Sequence, residues 1–161
     1  MIFVCLGTQI YPFDRLLKEI DRLVEKGVIS DDVFIQTGTL NYIPKHVLFS
    51  QYLSHDEFDD YRKRANLIIS HGGTGALIGA SKLGKNIIGV PRLSIFGEHV
   101  DDHQLQIVKV LEEQGYIRAV YEIEDLEKVL MEALNKPICK KFEEKATVLP
   151  IIDSYISFGH L

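Results

Sequence analysis

Short apolar runs along this chain alternate with stretches whose apolar positions recur every three or four residues. The first run, residues 1–7 (MIFVCLG), is apolar almost throughout, as expected of a strand covered on both faces. Phe13, Leu16, Leu17, Ile20, Leu23 and Val24 then share one face of a helix, and Gly27 supplies its stop. Residues 32–38 (DVFIQTG) and 46–53 (HVLFSQYL) read as the second and third strands. Ser54, with Glu57 three residues on, has capping-box spacing and predicts a helix through residues 55–65. Residues 66–70 (NLIIS) give a strand, residues 74–84 a helix stopped near Gly84, and residues 86–91 (NIIGVP) a further strand. A loop over residues 92–101 leads into a helix from about Asp102 to Glu113, ending at Gly115. Residues 116–122 (YIRAVYE) read as a late strand, and Leu126, Val129, Leu130, Ala133 and Leu134 mark an amphipathic helix. After Pro137 the pattern predicts another helix through residues 139–146, then an apolar tail of open conformation, residues 150–161.

Strands alternating with helices imply βαβ units, hence an α/β fold whose parallel sheet carries helices on both faces. No repeat, low-complexity segment or linker interrupts the pattern, so residues 1–161 read as one domain. Composition adds exclusions. Eighteen basic against twenty-three acidic side chains give a net charge of -5, which argues against a broad nucleic-acid surface. Cys5 and Cys139 are too few for a disulfide framework or a zinc site, and Cys5 reads as a buried free thiol. The opening residues carry no signal-peptide pattern, and no uncharged apolar stretch approaches the roughly 20 residues of a spanning helix. The expectation is a soluble, cytoplasmic protein that reaches a membrane only through a partner or an apolar surface.

Candidate chemistry centres on Ser70-His71-Gly72-Gly73-Thr74-Gly75, a glycine cluster between a strand and a helix. A helix start offers unpaired N–H groups and the positive end of the dipole, and glycines let the backbone approach an anion closely. The turn therefore suits phosphate, although a plain tight turn has the same spelling. It is neither a P-loop nor G-x-G-x-x-G. Gly7-Thr8, after the first strand, offers a second loop at the same sheet edge. Residues 96–106 hold Glu98, His99, Asp102, His103 and Gln104 around a helix start. Their hydrogen-bonding capacity suits a polyhydroxyl ligand; a metal set of His99, His103 and Glu98, or a merely solvated loop, are the other readings. The pairs Asp31-Asp32 and Asp59-Asp60 read as solvated. Lys82 and Lys85 complement the negative end of the helix they flank.

Residues 70–92 (SHGGTGALIGASKLGKNIIGVPR), followed by 97–117 (GEHVDDHQLQIVKVLEEQGYI), resemble the C-terminal, donor-binding domain of glycosyltransferase family 28. Within it the chain is most similar to small stand-alone subunits: bacterial exopolysaccharide and capsule proteins that act with a membrane-bound partner, and the catalytic subunit of the two-part eukaryotic enzyme adding the second N-acetylglucosamine to dolichol-linked precursors. The resemblance covers nearly the whole chain, from residue 4 through the late helices. It implies half of a GT-B fold: a Rossmann-like domain holding a UDP-sugar as donor substrate, with no metal and no other cofactor. Gly72, Gly73, Thr74 and Gly75 would face the diphosphate, with His71 at its lip, and Gly7 and Thr8 would approach the same region. Asp102 and Gln104 would bind hydroxyls of the transferred sugar, with Glu98 and His103 nearby, and the loop around Arg92 would border the nucleotide. His71, Asp102 and Gln104 are the catalytic candidates.

One position departs from the family. Many relatives hold the ribose hydroxyls with an acidic residue five positions before the glycine that ends this helix; here it is Gly79. The resemblance covers the donor-binding half alone, so the acceptor-binding half is expected on a partner chain. The resemblance thus implies a membrane-anchored acceptor-binding partner, a lipid-linked acceptor and inverting transfer at the inner face of the membrane. An alternative is a non-catalytic enhancer that stabilises a partner glycosyltransferase. A nucleotide-sugar epimerase ranks last, because it needs two such halves.

Overall fold

The computed structural model describes residues 1–143. Its elements are β1 (Ile2–Cys5), α1 (Asp14–Glu25), β2 (Val33–Gln36), β3 (Leu48–Ser50), α2 (His55–Arg64), β4 (Leu67–His71), α3 (Thr74–Lys82), β5 (Asn86–Val90), α4 (His103–Glu113), β6 (Arg118–Ala119) and α5 (Leu126–Asn135). Short 3-10 turns at Ser94–Phe96 and Ile123–Asp125 lie before α4 and α5. All strand pairs are parallel, in the order β3-β2-β1-β4-β5-β6. This is the doubly wound Rossmann-like arrangement. The register sets Cys5 opposite both Gln36 and Ser70, which aligns the strand ends that carry the candidate loops.

Alternation along β1 explains why that strand is apolar throughout. Ile2 and Val4 pack with Leu16, Leu17 and Ile20 of α1 and with Leu126 and Leu130 of α5. Phe3 and Cys5 face the other way, towards Leu77 and Ile78 of α3 and Ile107, Val108 and Leu111 of α4. The sheet is thus sandwiched, as the sequence predicts. The helix stops at Gly27, Gly84 and Gly115 all carry the positive φ that a left-handed cap requires.

The capping box of α2 forms in full: Ser54 Oγ accepts from the Glu57 amide at 3.3 Å, and Glu57 Oε2 accepts from the Ser54 amide at 2.8 Å. Ser54→Ala is expected to lower stability by about 1 kcal/mol. Urea unfolding should show this as a lower midpoint with an unchanged slope.

Other expectations are corrected. β6 is two residues long rather than seven, and pairs with Ile88 and Gly89 of β5. Residues 139–143 are not helical: Phe142 packs against Tyr116 and its amide bonds the Ser81 carbonyl at 3.0 Å. The rest of that proposed helix and the tail at 150–161 lie outside the described residues. Lys85 serves α2 rather than α3, its ammonium bonding the carbonyls of Lys63 and, at 2.9 Å, Ala65. Asp21, buried in α1, accepts from the Tyr42 hydroxyl at 2.5 Å and from the amides of Lys45 and His46, and so ties down the loop before β3.

Candidate functional site

β1 and β4 lie side by side at the centre of the sheet, and the helices that follow them leave to opposite faces. The crevice beyond their carboxyl ends is the switch point at which such sheets bind ligands. Two predicted loops meet there. Gly7 follows β1 with φ +88°, and Gly72-Gly73 link β4 to α3. A third loop closes in from β2: Gly38 has φ +61°, and a Cβ there would stand 2.2 Å from the Gly7 carbonyl oxygen. Only glycine fits that approach.

No side chain caps the start of α3. Its first amides therefore point outward without an intrahelical partner, at the positive end of the helix. Beside them opens a cavity of about 400 Å³, lined by Gly7, Thr8, Gln36, Leu53, Phe58, His71, Gly73 and Gly75. The imidazole of His71 fills the space between the two glycine loops: a Cβ on Gly73 would come within 2.3 Å of its Nε2, and one on Gly7 within 2.9 Å. A larger hollow of about 670 Å³ opens at the other end of the strands, beside Met1, Asp31, Asp32 and Lys45. None of the glycine-rich loops reaches it, so the smaller cavity is the one with chemistry around it.

His71 Nδ1 lies 3.2 Å from the Cys5 carbonyl oxygen. Burial pushes the imidazole down to about 4, with the charges of Arg92 and His99 acting in the same direction against the Cys5 bond. Burial likewise raises the Cys5 thiol to about 11, so the buried free thiol expected from the sequence is inert. A histidine held low contributes stability above its unfolded value of about 6.5, and that stability drains away as pH falls towards the folded value. Roughly 3 kcal/mol should be lost between pH 6.5 and 4 through this group. Chemical denaturation across that range should show a shallower loss in His71→Asn than in the natural protein.

Three of the polar residues expected near a ligand are buried and bonded within the protein. Arg92 is fully buried; its guanidinium donates to the carbonyls of Tyr11 at 2.5 Å, Glu98 at 2.9 Å and Leu6 at 2.5 Å. The Glu98 carboxylate takes a bidentate pair from Arg15, at 2.9 and 3.0 Å, and the Leu93 amide. Gln104 Oε1 accepts from the amides of Gly72 and Arg92, both at 3.1 Å. These groups satisfy buried backbone and lock the loops after β1, β4 and β5 together. Asp102 stays exposed, its carboxylate accepting from the Ser94 amide at 2.7 Å, and His103 is half-buried next to it. Neither lines the cavity.

Among the described residues, His99, Asp101 and His103 form one group whose ligating atoms all lie within 4.8 Å of one another and which could take a divalent ion. Its own hydrogen bonds already satisfy it, as Asp101 Oδ1 accepts from the His103 amide at 3.1 Å. At Gly79 a Cβ would lie 2.2 Å from Nη1 of Arg62, whose guanidinium covers this face of the helix. Gln36, Leu53 and Phe58 are site residues that sequence reasoning missed. Gln36 alone carried a signal, as the polar end of an otherwise apolar strand.

Residues 1–150 match the glycosyltransferase family 28 C-terminal domain. No protein of curated function matches the sequence significantly. Among solved structures, MurG of Acinetobacter baumannii superposes with a TM-score of 0.62 at 17% identity, over 96% of this chain and 49% of MurG. The solution structure of ALG13 superposes with a TM-score of 0.59 at 22% identity, over 94% of this chain and 92% of ALG13. The glycotransferase of kitacinnamycin gives a TM-score of 0.56 at 14% identity, over 96% of this chain and 37% of its own. At these identities the likeness shows the fold. The chain spans about half the length of MurG.

Proposed function

The chain belongs to the glycosyltransferase family 28 C-terminal domain family, and from that premise we propose that it is the donor-binding, catalytic subunit of a two-component inverting glycosyltransferase. It moves a sugar from a UDP-sugar onto a lipid-linked saccharide acceptor. The observation that carries this reading is the uncapped start of α3, opening on a cavity shared with Gly7 and Thr8. Negative charge grows on the departing diphosphate in the transition state, and fixed amides at a helix start stabilise it without a metal. Gly72, Gly73, Thr74 and Gly75 hold the diphosphate in this account. Leu53 and Phe58 give the base an apolar wall. Asp102, just before α4, and His103, its first residue, stand outside the cavity and meet hydroxyls of a sugar that projects from it.

A partner supplies the acceptor site and the attachment to the inner face of the membrane. No helix among the described residues is long and apolar enough to cross a membrane. Calorimetry with UDP, and transfer from radiolabelled UDP-sugars by the chain with and without membranes of its source, test the proposal. UDP binding to the chain alone, with transfer only in the combined sample, is expected. No UDP binding and no transfer in either sample would overturn it.

The alternative, a non-catalytic enhancer of a partner enzyme, draws on Gly79 and the guanidinium that covers it. It predicts partner activity that survives Asp102→Ala.

A further inference from the structure

The most informative atom in the cavity is one that nothing in the protein engages. The carbonyl oxygen of Cys5 can only accept, so the His71 Nδ1 that faces it at 3.2 Å carries the ring proton. Nε2 is then left with a lone pair. It sits between the backbones of Gly7 and Gly73, both of which line the cavity with it. No group among the described residues bonds Nε2, and it is not one of the buried polar atoms left without a partner; it opens into the cavity.

A lone pair at that place is a poor match for a phosphate oxygen, which is itself only an acceptor at neutral pH. What can meet it with gain is a hydroxyl. Resting on the donor-site reading above, we infer that His71 Nε2 accepts a hydrogen bond from a hydroxyl of the transferred sugar of a sugar nucleotide, while the amides of α3 hold its diphosphate. His71 thereby selects a nucleotide diphosphate that carries a sugar over the bare nucleotide diphosphate. The groups facing the ring work with this arrangement. Cys5 on β1 is a neutral thiol, and Arg92 after β5 and His99 on the next loop both oppose a second proton on the imidazole. Held near 4 by burial, the ring stays neutral at pH 7.

Two readouts test the assignment. Protein labelled with 15N-histidine, observed at pH 7, reports which ring nitrogen carries the proton. The free protein should show His71 protonated at Nδ1 alone. UDP should leave that pattern unchanged, and whichever of UDP-glucose, UDP-galactose and UDP-N-acetylglucosamine binds tightest should shift the Nε2 signal alone. In calorimetry, His71→Phe should weaken that sugar nucleotide about 5- to 10-fold more than it weakens UDP, the worth of one hydrogen bond. A ring doubly protonated on adding UDP would overturn the inference, as would equal weakening of both ligands, or no preference for any sugar nucleotide over UDP in the natural protein. Failure of the natural protein to bind either class is a separate result, which removes the donor-site reading and this inference together. The labelled spectra of the natural protein decide the matter even if the variant does not fold.

Discussion

Arg92→Leu is expected to destabilise the protein by about 3–5 kcal/mol, the range for removing one partner from a buried charged network. Its guanidinium is wholly buried and bonds carbonyls from three separate segments, at Leu6, Tyr11 and Glu98. It also lies 5.3 Å from the centre of the Phe13 ring. Leucine can fill part of the volume, but it leaves those carbonyls dry and unpaired, and each such group costs about 1–3 kcal/mol. Domains of this kind hold only about 5–15 kcal/mol in total, so the variant should unfold at markedly lower urea. Arg92→Lys keeps the charge but not the planar fork, and should fall between the two. A change under 1 kcal/mol for Arg92→Leu would mean that water, not the protein, serves those carbonyls.

Gly73→Ala should weaken UDP binding about 10- to 100-fold, the range for disturbing a hydrogen bond to a charged group. The backbone there is ordinary, with φ −74° and ψ 122°, so the new methyl group brings no conformational strain. Its cost is local: the Cβ would lie 2.3 Å from His71 Nε2. The ring cannot retreat easily, because the Gly7 backbone and the Cys5 carbonyl hold its other sides. Either the imidazole or the glycine turn must move, and both line the cavity. Circular dichroism should stay native while calorimetry shows the weakened UDP binding. Unchanged affinity would place the anion elsewhere.

Local signals made most of the fold legible. The apolar face of α1, the Ser54–Glu57 box and the stops at Gly27, Gly84 and Gly115 each depend on residues within a turn or two of one another. The switch point followed from the βα order, since the glycine turn sits on a central strand. Arg92, Glu98 and Gln104 were not legible in the same way. A polar residue in a loop has the same spelling whether it meets water or a buried carbonyl, and the deciding partners of Arg92 and Glu98, Leu6 and Arg15, lie more than 80 residues away. Asp21 did leave a trace: four residues after Leu17, it had to point into the core. Leu53 and Phe58 reach the cavity only because the chain crosses from β3 to β4 through α2, a fact of topology. The short β6 shows the reverse, a strand-like spelling of which two residues pair with β5.

That the outward amides at the start of α3 seat the pyrophosphate of a sugar nucleotide is tested most directly by titrating 15N-labelled protein with UDP and following backbone amides. The largest shifts should fall on Gly7, Thr8, Gly73, Thr74, Gly75 and Ala76. Amides there that stay still at saturating UDP, or shifts gathered instead around Asp31, Asp32 and Lys45 at the far end of the sheet, would contradict the account.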